Sequence, residues 1–210
     1  MNKSKKLRNI IKEHILNNRK EYTIVLLIFV IGIFFGVFFV NNMQEMQKEE
    51  LKEYINQFVQ KLKEKQELDY LKLLKTSFFQ NLVIATIIWF FGTTVIGIPI
   101  VFGADLYRGF CLGYTISTFI YIMGLQKGIA FILIALLLQN LLFVPAILAL
   151  SVSGFKLYKS IVKDKRRENV KVEIIRHTVF SLIMIIALII SSIIETFIST
   201  NFLKNVIKYF

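Results

Sequence analysis

Cysteine is nearly absent from this chain. Cys111 stands alone, which excludes an internal disulfide, and it has no metal-ligand neighbours. It reads as a free buried thiol. Histidine is almost as scarce. His14 and His177 fall at cytoplasmic or boundary positions, and His177, just after Arg176, reads as an interface residue. H-E-x-x-H, G-x-S-x-G, P-loop and C-x-x-C signatures are all missing. No nucleophile, base and orienter can be assembled, so the expectation is no enzyme, no catalytic residue, no cofactor and no metal ligand. No repeat with a period of 20–50 residues and no low-complexity segment is present, so the 210 residues read as one domain.

Charge is missing from long stretches, and apolar residues fill them. The chain is 55% hydrophobic, with a mean hydropathy of +0.60. A soluble domain of this length would not normally be so apolar. A spanning helix needs about 20 apolar residues to cross a core about 30 Å thick. The expected fold is all-α, a polytopic membrane protein with about five transmembrane helices. The expected spans are 23–40, 78–102, 109–123, 129–157 and 178–200. The first follows a basic tail, as a signal peptide would, but it is long for an h-region and no small-residue cleavage site follows, so it reads as uncleaved. Gly32 and Gly36 in the first span, and Gly109 and Gly113 in the third, are four residues apart. Such pairs let another helix approach closely, either within the chain or from a partner. Pro99 is expected to kink or end the second span, and Pro145 to break the fourth. A tight turn is expected at 103–108.

Residues 41–76 are polar, with seven acids and seven lysines and neither Pro nor Gly. Leu51, Tyr54, Ile55, Phe58, Val59 and Leu62 recur at spacings of three and four. That is an amphipathic helix. Its apolar face packs on the bundle or membrane surface, or docks a partner, with Leu51, Tyr54, Ile55, Phe58 and Leu62 as the docking candidates. Packing at home is the preferred reading.

The formal charge is +12, from 26 Lys and Arg against 14 acids. With five spans, one side holds 16 basic residues and 6 acids, the other 10 and 8. The positive-inside rule then puts the amino terminus in the cytoplasm and the carboxyl terminus outside, with the amphipathic helix outside between spans one and two. The basic excess is thus mainly topological. It also suits the anionic lipid bilayer. No aromatic residue is interleaved in the stretch 163–167, so nucleic acid is not an expected partner.

Polar groups inside the spans are costly. Glu195 in the last span is the sharpest, and it reads as paired to a polar group of span two or four, as exposed at the interface, or as a proton or ion site. Gln139, Asn140 and Asn81 read as structural glue between helices. Trp89 reads as a mid-span packing residue.

The order Phe79-Gln80-Asn81-Leu82, Gly92, Gly97-Ile98-Pro99, Gly109, Gly113, Gln139-Asn140-Leu141-Leu142-Phe143-Val144-Pro145-Ala146 and Glu195 resembles the stage II sporulation protein M family, over nearly the whole chain. The resemblance implies a role in endospore formation. It implies a non-enzymatic scaffold in the mother-cell membrane, at the septum or engulfing membrane. Its partners would be two peptidoglycan-degrading enzymes, stage II sporulation proteins D and P. The alternative is a transporter or channel component built on Glu195, Gln139 and Asn140. Self-association into a homo-oligomer stays open.

Overall fold

The structure is a computed structural model, and it describes residues 15–63, 69–163 and 170–202. All regular structure among these residues is helical. The long helices among the described residues follow in order: α1 (Arg19–Asn41), α2 (Glu45–Lys63), α3 (Tyr70–Gly92), α4 (Ile98–Met123), α5 (Leu125–Lys163) and α6 (Val170–Ile193). α6 runs on into a π-helical segment, Ile194–Ser199. His14, the centre of the basic loop and the end of the carboxyl tail lie outside the described residues.

Among the described residues, four stretches are long and apolar enough to cross a membrane: Arg19–Asn41, Tyr70–Gly92, Gln139–Val162 and Val170–Phe202. α4 is not among them. It is interrupted by Asp105 and Arg108, yet it lies packed among the spans. Large apolar side chains face outward from the bundle. Phe34 is 70% exposed and Phe38 is 66% exposed, which suits hydrocarbon and not water as the surroundings.

The boundaries differ from the sequence expectation in one consequential place. The second span does not run to residue 102; α3 ends at Gly92. Thr93 and Thr94 turn back onto the carbonyls of Phe90 and Phe91. Pro99 then sits in the first turn of α4, so it begins a helix and neither kinks nor ends one. Proline is well placed there, because the amide hydrogen it lacks has no helical acceptor and its φ is already helical. The expected turn at 103–108 therefore lies inside α4. Pro145 likewise does not break its helix, since α5 passes through it unbroken from Leu125 to Lys163. At 1.5 Å per residue α5 is about 58 Å long, well beyond the bilayer core. The link between α4 and α5 is one residue, Gly124, with φ +81°, a conformation that favours glycine.

Among the described residues, three apolar clusters hold the bundle. The main one joins Ile84, Ala85 and Ile88 of α3, Val101 of α4, Phe143, Ile147 and Leu150 of α5, and Leu188 of α6. A second seats Val25 and Phe29 of α1 on Leu148 and Val152 of α5. A third seats Ile55 of α2 on Phe119 of α4 and Phe131 of α5, with Val59 beside it. The amphipathic helix thus packs against the α4–α5 hairpin. Lys48 lies 5.7 Å from the Tyr121 ring centroid and hydrogen-bonds Glu45 at 2.9 Å, which raises the Lys48 pKa above the ordinary lysine value.

α1 packs most extensively on α4. A Cβ built on Gly32 or Gly36 would lie 2.2 Å from the carbonyl oxygen of Leu106 or Phe110. One built on Gly109 or Gly113 would lie 2.1 Å from the carbonyl oxygen of Phe29 or Ile33. The two glycine pairs face each other, so neither is open to a partner's helix. Gly92 and Gly154 make a similar close crossing of α3 and α5 beside His177.

Candidate functional site

Polar side chains of four helices meet inside the bundle. α3 contributes Ser77 and Asn81, one turn apart. α4 contributes Asp105 and Arg108. Gln139, Asn140 and Ser151 come from α5. Ser191 and Ser192 come from α6, and Glu195 from the π segment that continues it. Ser77 and Asn81, Asp105 and Arg108, and Ser192 and Glu195 are each three or four residues apart, which is how helical sequence gathers polar groups on one side.

Asn81 is the hub. Its Nδ2 donates to Ser192 Oγ at 2.8 Å and to the Leu188 carbonyl at 3.4 Å. Its Oδ1 accepts from Arg108 Nη2 at 3.1 Å. The Arg108 guanidinium also lies 4.1 Å from the Phe143 ring centroid, a cation–π contact. Ser77 donates a short hydrogen bond to Glu195 Oε2, and Gln139 faces the same carboxyl group. Glu195 is thus paired to polar groups of α3 and α5. Ser191 donates to the Gln139 carbonyl at 3.3 Å. Ser151 donates to Asp105 Oδ1 at 2.9 Å, and Asp105 is wholly buried.

Two buried polar atoms of the cluster, Asp105 Oδ2 and Arg108 Nε, have no hydrogen-bond partner among the described residues. Beside Arg108 lies a cleft of about 130 Å³ lined by Thr115, Gln139, half-buried Asn140 and Phe143. Cys111, a free thiol, lines it as well.

Of the residues singled out from sequence, the structure brings together Asn81, Gln139 and Glu195. It adds Asp105 and Arg108, which the sequence reading assigns to a turn. The available signal was Pro99 as a helix start, which carries both charges into the interior of α4. Trp89 is not mid-span; it lies one turn from the end of α3 and donates to Thr178 Oγ1 at 3.3 Å. His177 is not at the interface but buried. Its Nδ1 lies 2.9 Å from Ser153 Oγ and its Nε2 3.3 Å from the Trp89 carbonyl. No group of three metal-ligating side chains occurs among the described residues.

Of the α2 candidates, Ile55 is buried and Leu51 half-buried. Tyr54 and Phe58 are exposed. The Leu62 side chain falls outside the described residues.

The cluster's chemistry is adhesive. Amides and hydroxyls tie four helices where hydrophobic force between helices is weak. A family model described as stage II sporulation protein M matches residues 25–200. The chain belongs to that family. No curated protein and no solved structure matches it. The matched region of this sporulation-family membrane protein contains both glycine pairs and every residue of the polar cluster.

Proposed function

We propose that this chain is a non-enzymatic membrane scaffold. It holds peptidoglycan-degrading enzymes, stage II sporulation proteins D and P, at the septal membrane while the mother-cell membrane migrates around the forespore. The amino terminus lies in the cytoplasm and α2 lies outside, facing the wall.

Family membership supports the process. The observation that carries the docking surface is the split face of α2. Ile55 and Val59 are packed on the hairpin, while Tyr54 and Phe58, one position earlier, remain outward. An amphipathic helix that exposes two aromatic rings beside charged neighbours suits protein contact, where aromatic anchors contribute most. The charge bias supports the orientation. Moving Asp105 and Arg108 from a turn into α4 removes one charge of each sign, so the bias is unchanged.

The test is co-purification of the two wall enzymes with the tagged chain from sporulating cells, for the native sequence and for Tyr54→Glu with Phe58→Glu. Loss in the double variant is expected. Unchanged recovery removes α2 as the docking surface. A null strain that completes engulfment without this chain would remove the function itself.

A further inference from the structure

We propose that the lateral groove between α3 and α4 takes the membrane-spanning helix of a partner protein that carries a carboxyl group near mid-span, with Arg108 as its counter-charge. This deepens the scaffold reading and rests on it in one respect, that the chain holds another membrane protein.

The groove has a volume of about 790 Å³. Val83, Ile84 and Ile87 form one wall, and Ile100, Gly103 and Ala104 the other. A Cβ added at Gly103 would meet nothing within 4 Å, so the chain's own packing does not require glycine there. Arg108 lies at the groove as well as at the smaller cleft. It is ten residues beyond the start of α4, about 15 Å along the axis and roughly half of a core about 30 Å thick.

A guanidinium has five N–H donors. Here one neutral acceptor, Asn81 Oδ1, and one ring face serve it, and Nε has no partner among the described residues. No carboxylate lies within ion-pair distance of it among those residues. Glu195 is bonded to Ser77, and Asp105 accepts from Ser151. An intramembrane arginine left this way is costly, and a carboxylate matches its fork. Charge complementarity therefore selects the occupant. A lipid chain would fill the apolar walls but brings no acceptor to this depth. A second copy of this chain would bring Glu195, which is already engaged.

The probe is a pair of synthetic leucine-rich helices of about 21 residues, one with a central Asp and one all-leucine. Each is titrated by energy transfer into liposomes of phosphatidylethanolamine and phosphatidylglycerol that hold the full chain. The label is carried at Leu71→Cys in a Cys111→Ser background. The Asp helix should bind at least about tenfold more tightly than the all-leucine helix. Arg108→Leu should abolish that preference. Gly103→Leu, which fills the groove and leaves Arg108 in place, should weaken binding of the Asp helix, and it decides the matter alone if Arg108→Leu fails to fold. Equal binding of the two helices overturns the proposal and leaves the groove to lipid, as does a preference that survives both variants. If the wall enzymes still co-purify while the peptide preference is absent, the groove assignment alone falls. If co-purification is lost in the α2 variant while the preference stands, the groove assignment is upheld.

Discussion

Toward α1, α4 presents Gly109 and Gly113, set so close that any side chain would strike a carbonyl oxygen. Toward α3 it presents Arg108, held by the side-chain amide of Asn81. The same helix thus meets one neighbour through bare backbone and another through a hydrogen-bonded polar network. The difference follows from the solvent. Lipid tails are as apolar as leucine, so burial contributes little to helix association, and two other means remain. One is close approach, in which dispersion grows because nothing stands between the backbones. The other is the hydrogen bond, which holds because an unsatisfied group has no water to turn to. Close approach fails abruptly when atoms are added. Hydrogen bonds fail gradually, because neighbouring polar groups can substitute for one another.

The sharpest way to break this comparison is Gly36→Leu. The new Cβ would lie 2.2 Å from the Phe110 oxygen and 2.5 Å from the Tyr114 nitrogen, both backbone atoms that cannot rotate aside. α1 must lift from α4. A loss of about 3 kcal/mol or more is expected, at or beyond the upper end for overpacking. It would be read as a lowered Tm of the detergent-solubilised chain. An unchanged Tm would mean that α1 is not seated on the glycine face.

On the polar side, Asn81→Leu removes the acceptor of Arg108 and the donor to Ser192 together. The expected cost is about 1–3 kcal/mol, chiefly from the guanidinium left without its acceptor. Adding Arg108→Leu should recover part of that loss, because the orphaned donor is then gone. A double variant less stable than either single one would contradict a network centred on this pair. Ser77→Ala should cost less, about 1 kcal/mol, since Gln139 still faces the Glu195 carboxyl group.

Much of this division is legible in the sequence. Glycines four apart announce the close face, and Asn81, Gln139 and Glu195 stand out because they interrupt apolar runs. Asp105 and Arg108 do not stand out, because two charges beside Gly103 look like a turn. Their burial depends on Pro99 starting α4, and proline marks a helix start or a helix end with equal ease when only local sequence is read. The face of α2 is similar. Its apolar period is visible, but that Ile55 and Val59 turn inward while Tyr54 and Phe58 stay out depends on Phe119 and Phe131, which lie 60 or more residues away. The π-helical segment at Glu195 has no local signature, since nothing in Ile194–Ser199 forbids an α-helix.

The smallest expected effect is also the most discriminating. Gly103 and Gly109 lie on the same helix, six residues apart, and alanine improves helix propensity at both. If membrane glycines mattered only through propensity, the two alanine variants would behave alike. At Gly109 the added methyl would lie 2.1 Å from the Phe29 oxygen, whereas at Gly103 it would meet nothing within 4 Å. Gly103→Ala should therefore change stability by no more than about 0.5 kcal/mol, as is typical of surface changes, leaving Tm unchanged or slightly raised. Gly109→Ala should lower it clearly. Matching shifts at the two positions would show that α4 does not distinguish its α1 face from its groove face, and the comparison would fail at its root.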